Sequence, residues 1–238
     1  MNVKIKNLIS TGIFSLGCLA MVAFGDKETR NLGDFEGVSV SSGISATLVS
    51  GSSNKVDIDA ENIDLDKVIT EIKDDVLRVK VDQKWWSNLT KSRKRKITVT
   101  ITYSNELEYI SSSAGSSVKS DGTINSDDLE LNSSSGSSLK LDVNASDVES
   151  DVSSGATMVL SGKAGDLDID VSSGSSFRGG DLQTEDVTID ASSGASAQVW
   201  VTGDLDADVS SGASVRYKGS PNSTDIDKSS GGSVNPMK

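Results

Sequence analysis

The chain has no histidine, one cysteine and two prolines among 238 residues, and aromatic residues make up 4% of it. The absence of histidine removes Ser-His-Asp triads, imidazole general bases and His-ligated metals. The one cysteine, Cys18, lies in an N-terminal segment expected to be removed, which leaves no thiol for a disulfide, a zinc site or an iron–sulfur cluster. Cationic residues are outnumbered: 23 Lys and Arg against 35 Asp and Glu give a formal charge of −12, which argues against nucleic acid as a partner. Few aromatics with high acidity is a composition common in disordered chains. Val, Ile and Leu are nevertheless spread evenly, so a folded chain is expected, one large domain or two small ones.

Residues 1–25 read as an export signal, with Lys4 and Lys6 ahead of an apolar stretch from Ile13 to Phe24. Ala23 and Gly25 place small residues at −3 and −1 of a cut before Asp26. That cut removes both lysines and takes the formal charge from −12 to −14. A rival cut at Cys18 would make a lipoprotein, but Ser15 stands where such a box usually has Leu, and apolar residues continue past the cysteine. The stretch is short for a membrane span, and no later segment is long and apolar enough, so no transmembrane span is expected in the mature chain. The expected location is the periplasm, the outer-membrane surface or the extracellular space.

A repeat dominates the chain beyond residue 110. Ser-Ser-Gly and two small residues recur around Gly136, Gly155, Gly174, Gly194, Gly212 and Gly231, with an earlier copy at Ser112-Ser113-Ala114-Gly115. Successive glycines from Gly115 are 21, 19, 19, 20, 18 and 19 residues apart. So regular a period means a solenoid with one repeat per coil. Counting back from each glycine, positions −7, −5 and −3 are apolar (Leu167, Ile169 and Val171, for example), while −8, −6 and −4 are mostly acidic (Asp166, Asp168 and Asp170). Strict alternation marks a strand with one buried face. Positions +3 and +5 (Leu139 and Leu141, Met158 and Leu160) give a second, shorter strand, and Gly162, Gly165, Gly180, Gly203 and Gly219 are expected to mark turns between coils. The fold class is therefore all-β, a parallel β-helix with coils of about 19 residues, right-handed as β-crossovers are. The serine at −1 is expected to face inward, its hydroxyls bonding along the stack, and the following glycine to sit where a Cβ would obstruct the corner.

Residues 26–110 are strand-rich but less periodic. Val38 to Leu48 is a diverged copy of the repeat, and strands follow at Val56–Asp59, Val76–Val81 and Ile97–Tyr103. This half is expected to form irregular coils that begin or cap the regular solenoid of 111–238, with a separate small β-domain as the alternative. Phe35-Glu36-Gly37-Val38-Ser39-Val40-Ser41-Ser42-Gly43-Ile44, the segment Val68-Ile69-Thr70-Glu71-Ile72 with Val76-Leu77-Arg78-Val79, and the Ser-Ser-Gly array together resemble the head GIN domain family of auto-transporter adhesins, found largely in Bacteroidetes. The resemblance covers roughly 32–235. Where the namesake tripeptide has Asn, this chain has Ser45. The resemblance implies an exported β-helical protein of the cell envelope.

Two features could carry function. The outward positions of the last six repeats gather fifteen acids on one sheet face, and the weak calcium candidates are Asp168, Asp170, Asp190, Asp206 and Asp208, since clustered carboxylates suit a hard cation. The competing reading is a solvated, aggregation-resistant face. The stretch 83–96 is the aromatic-plus-basic one: Trp85, Trp86, Arg93 and Arg95 are the candidate contact residues for a glycan, an anionic polymer or a protein partner. Alternatively one Trp packs over the solenoid end and the charges are solvated. No catalytic residue and no cofactor is expected, because a catalytic acid pair is singular whereas these acids recur in every coil. The sequence therefore predicts an exported, non-enzymatic scaffold for surface attachment or envelope interaction. The alternatives are a polysaccharide-active β-helix enzyme and a periplasmic structural or sensing protein.

Overall fold

A computed structural model describes residues 26–82 and 95–237. The export segment and Cys18 lie outside the described residues. There is no α-helix among the described residues, only a 3₁₀ turn at Leu65–Lys67, and no helix long and apolar enough to cross a membrane. The chain forms a parallel β-solenoid of about seven turns.

The regular coils follow from the repeat. Strand β9 (Ser117–Ser133) pairs in parallel with β10 (Ser138–Val152), and β10 with β11 (Thr157–Val171), with Ser138 opposite Thr157 and Val152 opposite Val171. Later coils divide in two: β12 (Ser176–Thr184) and β13 (Asp186–Ala191), β14 (Ser196–Val201) and β15 (Asp204–Val209), β16 (Ser214–Gly219) and β17 (Ser223–Lys228), then β18 (Ser233–Pro236). The strands before each Ser-Ser-Gly corner stack as one parallel series and those after it as another. Leu167, Ile169, Val171, Ile189, Leu205 and Val209 are buried, while Asp168, Asp170 and Asp208 are exposed, as the alternation predicts. Each fully buried aliphatic contributes about 1.5–3 kcal/mol.

The N-terminal half is built around the same coil, out of chain order. β2 (Gly37–Val40) and β3 (Ser45–Ser50) flank the corner Ser41-Ser42-Gly43. β2 lies parallel between β6 (Val76–Val81) and β8 (Tyr109–Ser112), and β3 between β7 (Lys96–Tyr103) and β9. The first coil in sequence is thus the second in space. Antiparallel strands finish this end: β4 (Lys55–Glu61) on β7, β1 (Asp26–Asn31) on β4, and β5 (Val68–Lys73) on β6. Arg30 fastens β1 by donating to the carbonyls of Val68 (2.6 Å) and Leu65 (3.0 Å). One apolar core, from Phe35 to Val215, runs through both halves.

The corners correct two sequence expectations. The −1 serines (Ser135, Ser154, Ser173, Ser193, Ser211, Ser230) point to solvent, not inward. Strand parity fails there because the corner is a tight turn with two consecutive left-handed residues, such as Ser154 (φ 53°) and Gly155 (φ 71°), closed by Ala156 N–H donating to the Ser153 carbonyl at 3.1 Å. The inward hydroxyls sit at +1 instead: Ser137 Oγ donates to the Ser112 carbonyl (2.7 Å), and Ser175 Oγ to the Val152 carbonyl (2.6 Å), each in the preceding coil. Nor does crowding select the corner glycine. A Cβ at Gly155 would meet nothing within 4 Å, so the positive φ is the constraint. Steric exclusion operates at Gly162, where a Cβ would fall 2.0 Å from the Val143 carbonyl oxygen. Strand β11 also runs on through Gly162 and Gly165, and β12 through Gly180, rather than breaking into a turn, while Gly203 lies in the bend between β14 and β15 and Gly219 ends β16.

Candidate functional site

In-register stacking turns the sequence positions into columns. At −4, Asp151, Asp170, Asp190, Asp208 and Asp227 follow one another on consecutive coils. At −6, Glu130, Glu149 and Asp168 are consecutive, then Thr188 intervenes before Asp206 and Asp225. All fifteen acids are exposed. Among the described residues none of them has a lysine or arginine within 4.0 Å. Partial burial, then the charges of Asp168 and Asp151, raises the Asp170 carboxyl above its ordinary range. Asp190 is raised likewise, by partial burial and then by Asp170, Asp208 and Asp206. The acids of the N-terminal end differ. Hydrogen bonds from Arg30 to Glu28, from Thr29 and then Lys55 to Asp57, and from Lys80 to Glu71 hold these carboxyls below their ordinary range.

Of the calcium candidates, the structure brings Asp170, Asp190 and Asp208 into one column and places Asp168 and Asp206 in the next, separated by Thr188. No group of three or more carboxylates among the described residues is arranged to hold a metal ion. The same sheet carries an open depression lined by Asp147, Glu149, Asp166, Asp168, Asp186 and Thr188. Each lining position recurs on neighbouring coils, and no acid is set apart from its column as a general acid would be.

Trp85, Trp86 and Arg93 lie outside the described residues. Arg95 stands immediately before β7, half-exposed.

A second array, on the strands after the corners, is one that reading the acids alone does not reveal. The outward +4 column runs Lys119, Lys140, Val159, Arg178, Gln198, Arg216. Its four cations are exposed and have no carboxylate within 4.0 Å among the described residues. Beside it, at +2, every coil presents a half-exposed hydroxyl: Ser138, Thr157, Ser176, Ser196 and Ser214. At +6, Trp200 is half-exposed on the outward parity, and the Lys218 ammonium of the next coil sits 4.3 Å from its ring centroid. The signal is present in the sequence: the +4 position, aligned on the same glycines that reveal the acids, alternates cation and neutral residue from Lys140 onward.

Residues 34–221 match the family described as putative auto-transporter adhesin, head GIN domain. The chain belongs to this family. No curated protein matches it. Among solved structures, a putative adhesin from Bacteroides fragilis superposes with a TM-score of 0.76 at 15% identity, covering 89% of this chain and 96% of that one. A putative adhesin from Parabacteroides merdae gives 0.67 at 18% identity, covering 90% and 96%. A protein from Parabacteroides distasonis described as a putative lipid binding protein gives 0.66 at 18% identity, covering 90% and 98%. At these identities the likeness is one of fold.

Proposed function

We propose that this family member is an exported, non-enzymatic β-solenoid that attaches to envelope or cell surfaces through its side walls. The observation that carries this reading is the outward array: charged side chains repeated in register along the stack, acidic on consecutive coils of one sheet and basic on alternate coils of its neighbour. Such a surface suits extended, many-point contact with a long partner, where many weak contacts act together. The family description and the export signal support a location outside the cytoplasm. The segment 83–96, with Trp85, Trp86, Arg93 and Arg95, is proposed as a second contact region on its aromatic and basic composition.

The test is retention of fluorescently labelled purified protein on whole cells and on isolated envelopes, with protease treatment of intact cells and mass spectrometry of the mature N-terminus. The reading expects saturable retention and cleavage of the chain on intact cells. Absence of retention on every surface tried, or bond cleavage in an envelope polysaccharide, would overturn it.

A further inference from the structure

We propose that the sheet following the Ser-Ser-Gly corners is a binding face for an acidic polysaccharide, with Arg178 and Arg216 pairing to its carboxylates and Trp200 stacking on a sugar ring. This deepens the attachment reading and rests on it for the biological setting, but the face is argued from its own chemistry.

The cations form a line along the solenoid axis. Lys140, Arg178 and Arg216 occupy the same outward position on alternate coils, with Val159 and Gln198 between them. Coils rise by about 4.8 Å, so the cations recur every ~9.6 Å. In an extended polysaccharide alternate sugars face the same way, and charges on one side recur once per disaccharide, a length of the same order. An arginine fork is suited to a carboxylate because it can donate two parallel hydrogen bonds. The intervening half-exposed hydroxyls at +2 can donate to or accept from sugar hydroxyls, one per coil. Trp200 is half-exposed on the outward side of the same sheet, with the Lys218 ammonium beside its ring, so a sugar stacked on it would meet that cation too. The carboxylates on this side are Asp121, Asp142 and Asp181. Asp142 accepts from Ser161 Oγ at 3.0 Å, Asp181 lies 3.9 Å from Lys218, and none is within 4.0 Å of either arginine.

Two neighbouring features favour a polysaccharide over a second copy of the chain. Acids of the −4 column repeat on every coil from Asp151 to Asp227, so they would meet this cation line in register only at alternate positions. The acidic sheet across the corner also confines a polyanion to the basic one, because like charge repels it there. Such repulsion falls off over a Debye length of about 8 Å at physiological ionic strength.

Calorimetric titration of the purified protein with polygalacturonate oligomers, and with neutral cello-oligosaccharides of equal length, tests the proposal at low and high salt. The polyuronate is expected to bind, more weakly at high salt, and the neutral oligomer at least tenfold more weakly. Arg178→Gln with Arg216→Gln should weaken polyuronate binding about tenfold or more and flatten its salt dependence. Trp200→Ala should weaken binding with the salt dependence kept, and Asp168→Asn on the acidic sheet should not weaken it. All four positions face outward, and melting curves check that the fold is kept. Undiminished binding by the double-arginine variant, equal binding of charged and neutral oligomers, or no polyuronate binding at all would overturn the proposal. So would self-association of the wild type that the double variant abolishes, since the face would then be a contact between copies. Cell retention without polyuronate binding would remove this ligand and leave the attachment reading standing. Polyuronate binding without cell retention would do the reverse.

Discussion

At the scale of single residues, one buried atom stands out. Ser150 occupies the inward −5 position between Leu131 and Ile169 on the neighbouring coils, is 1% exposed, and its hydroxyl has no hydrogen-bond partner among the described residues. An unsatisfied buried hydroxyl costs on the order of 1–3 kcal/mol, so Ser150→Ala is expected to stabilise the protein by about 1 kcal/mol, read as a rise in the denaturation midpoint. A loss of stability would show that the hydroxyl is satisfied. Parity supplies a companion pair. Ile169→Asp places a charge in the core and should cost about 4 kcal/mol or more, whereas Asp168→Asn on the exposed face should stay within about 0.5 kcal/mol. Equal effects from the two would contradict the assignment of faces. Both positions are legible in the sequence, because a period of two fixes inside from outside once one residue is placed. The orphan hydroxyl is not, since it depends on what the neighbouring coils present.

At the scale of elements, the corner is the unit that repeats. Its two left-handed residues disfavour any side chain with a Cβ, by roughly 1–2 kcal/mol for each. Gly155→Ala should therefore destabilise by about 1–2 kcal/mol although the space is open, and Gly155→Asn by less, because Asn tolerates this conformation. Gly162→Ala should cost more than either, since a Cβ there meets the Val143 carbonyl oxygen. Chemical denaturation of the three variants checks the order, and Gly155→Ala exceeding Gly162→Ala would contradict it. The Ser-Ser-Gly spacing is enough to reveal the solenoid, the stacking of its coils and the inward columns. It misplaces the −1 serines because alternation is carried one residue too far, into a turn where backbone handedness and not strand pleat sets direction. The N-terminal end resists reading for another reason. β2 and β3 lie between strands whose partner residues are 39 to 72 positions distant in sequence, and no local pattern specifies such insertion.

At the scale of the whole molecule, charge is divided by region, and pH should reveal the division. The raised carboxyls of Asp170 and Asp190 bind protons more readily folded than unfolded. Their contribution to stability is thus fully present below the ordinary Asp value of 3.8 and is lost as pH rises through their raised values. Glu28, Asp57 and Glu71 have lowered carboxyls, so their contribution is present above the ordinary range and is lost as pH falls through their lowered values. The melting temperature is therefore expected to fall as pH rises from the ordinary Asp value through the raised ones, and to fall again as acid carries it down through the lowered ones. Asp170→Asn with Asp190→Asn should flatten the first change and leave the second. A monotonic rise from pH 3 to pH 7 would contradict the assignment. Acid columns, cation line and apolar core all depend on coils stacking in one register, and that register can be measured directly. Glu149 and Asp168 are Cα partners on adjacent coils, and both are exposed. Oxidation of the Glu149→Cys, Asp168→Cys variant should close an intramolecular disulfide with the fold intact. The variant with cysteines at Glu149 and Asp166, two residues out of register, should stay reduced under the same conditions. The reverse result, or equal cross-linking of the two, would contradict the account.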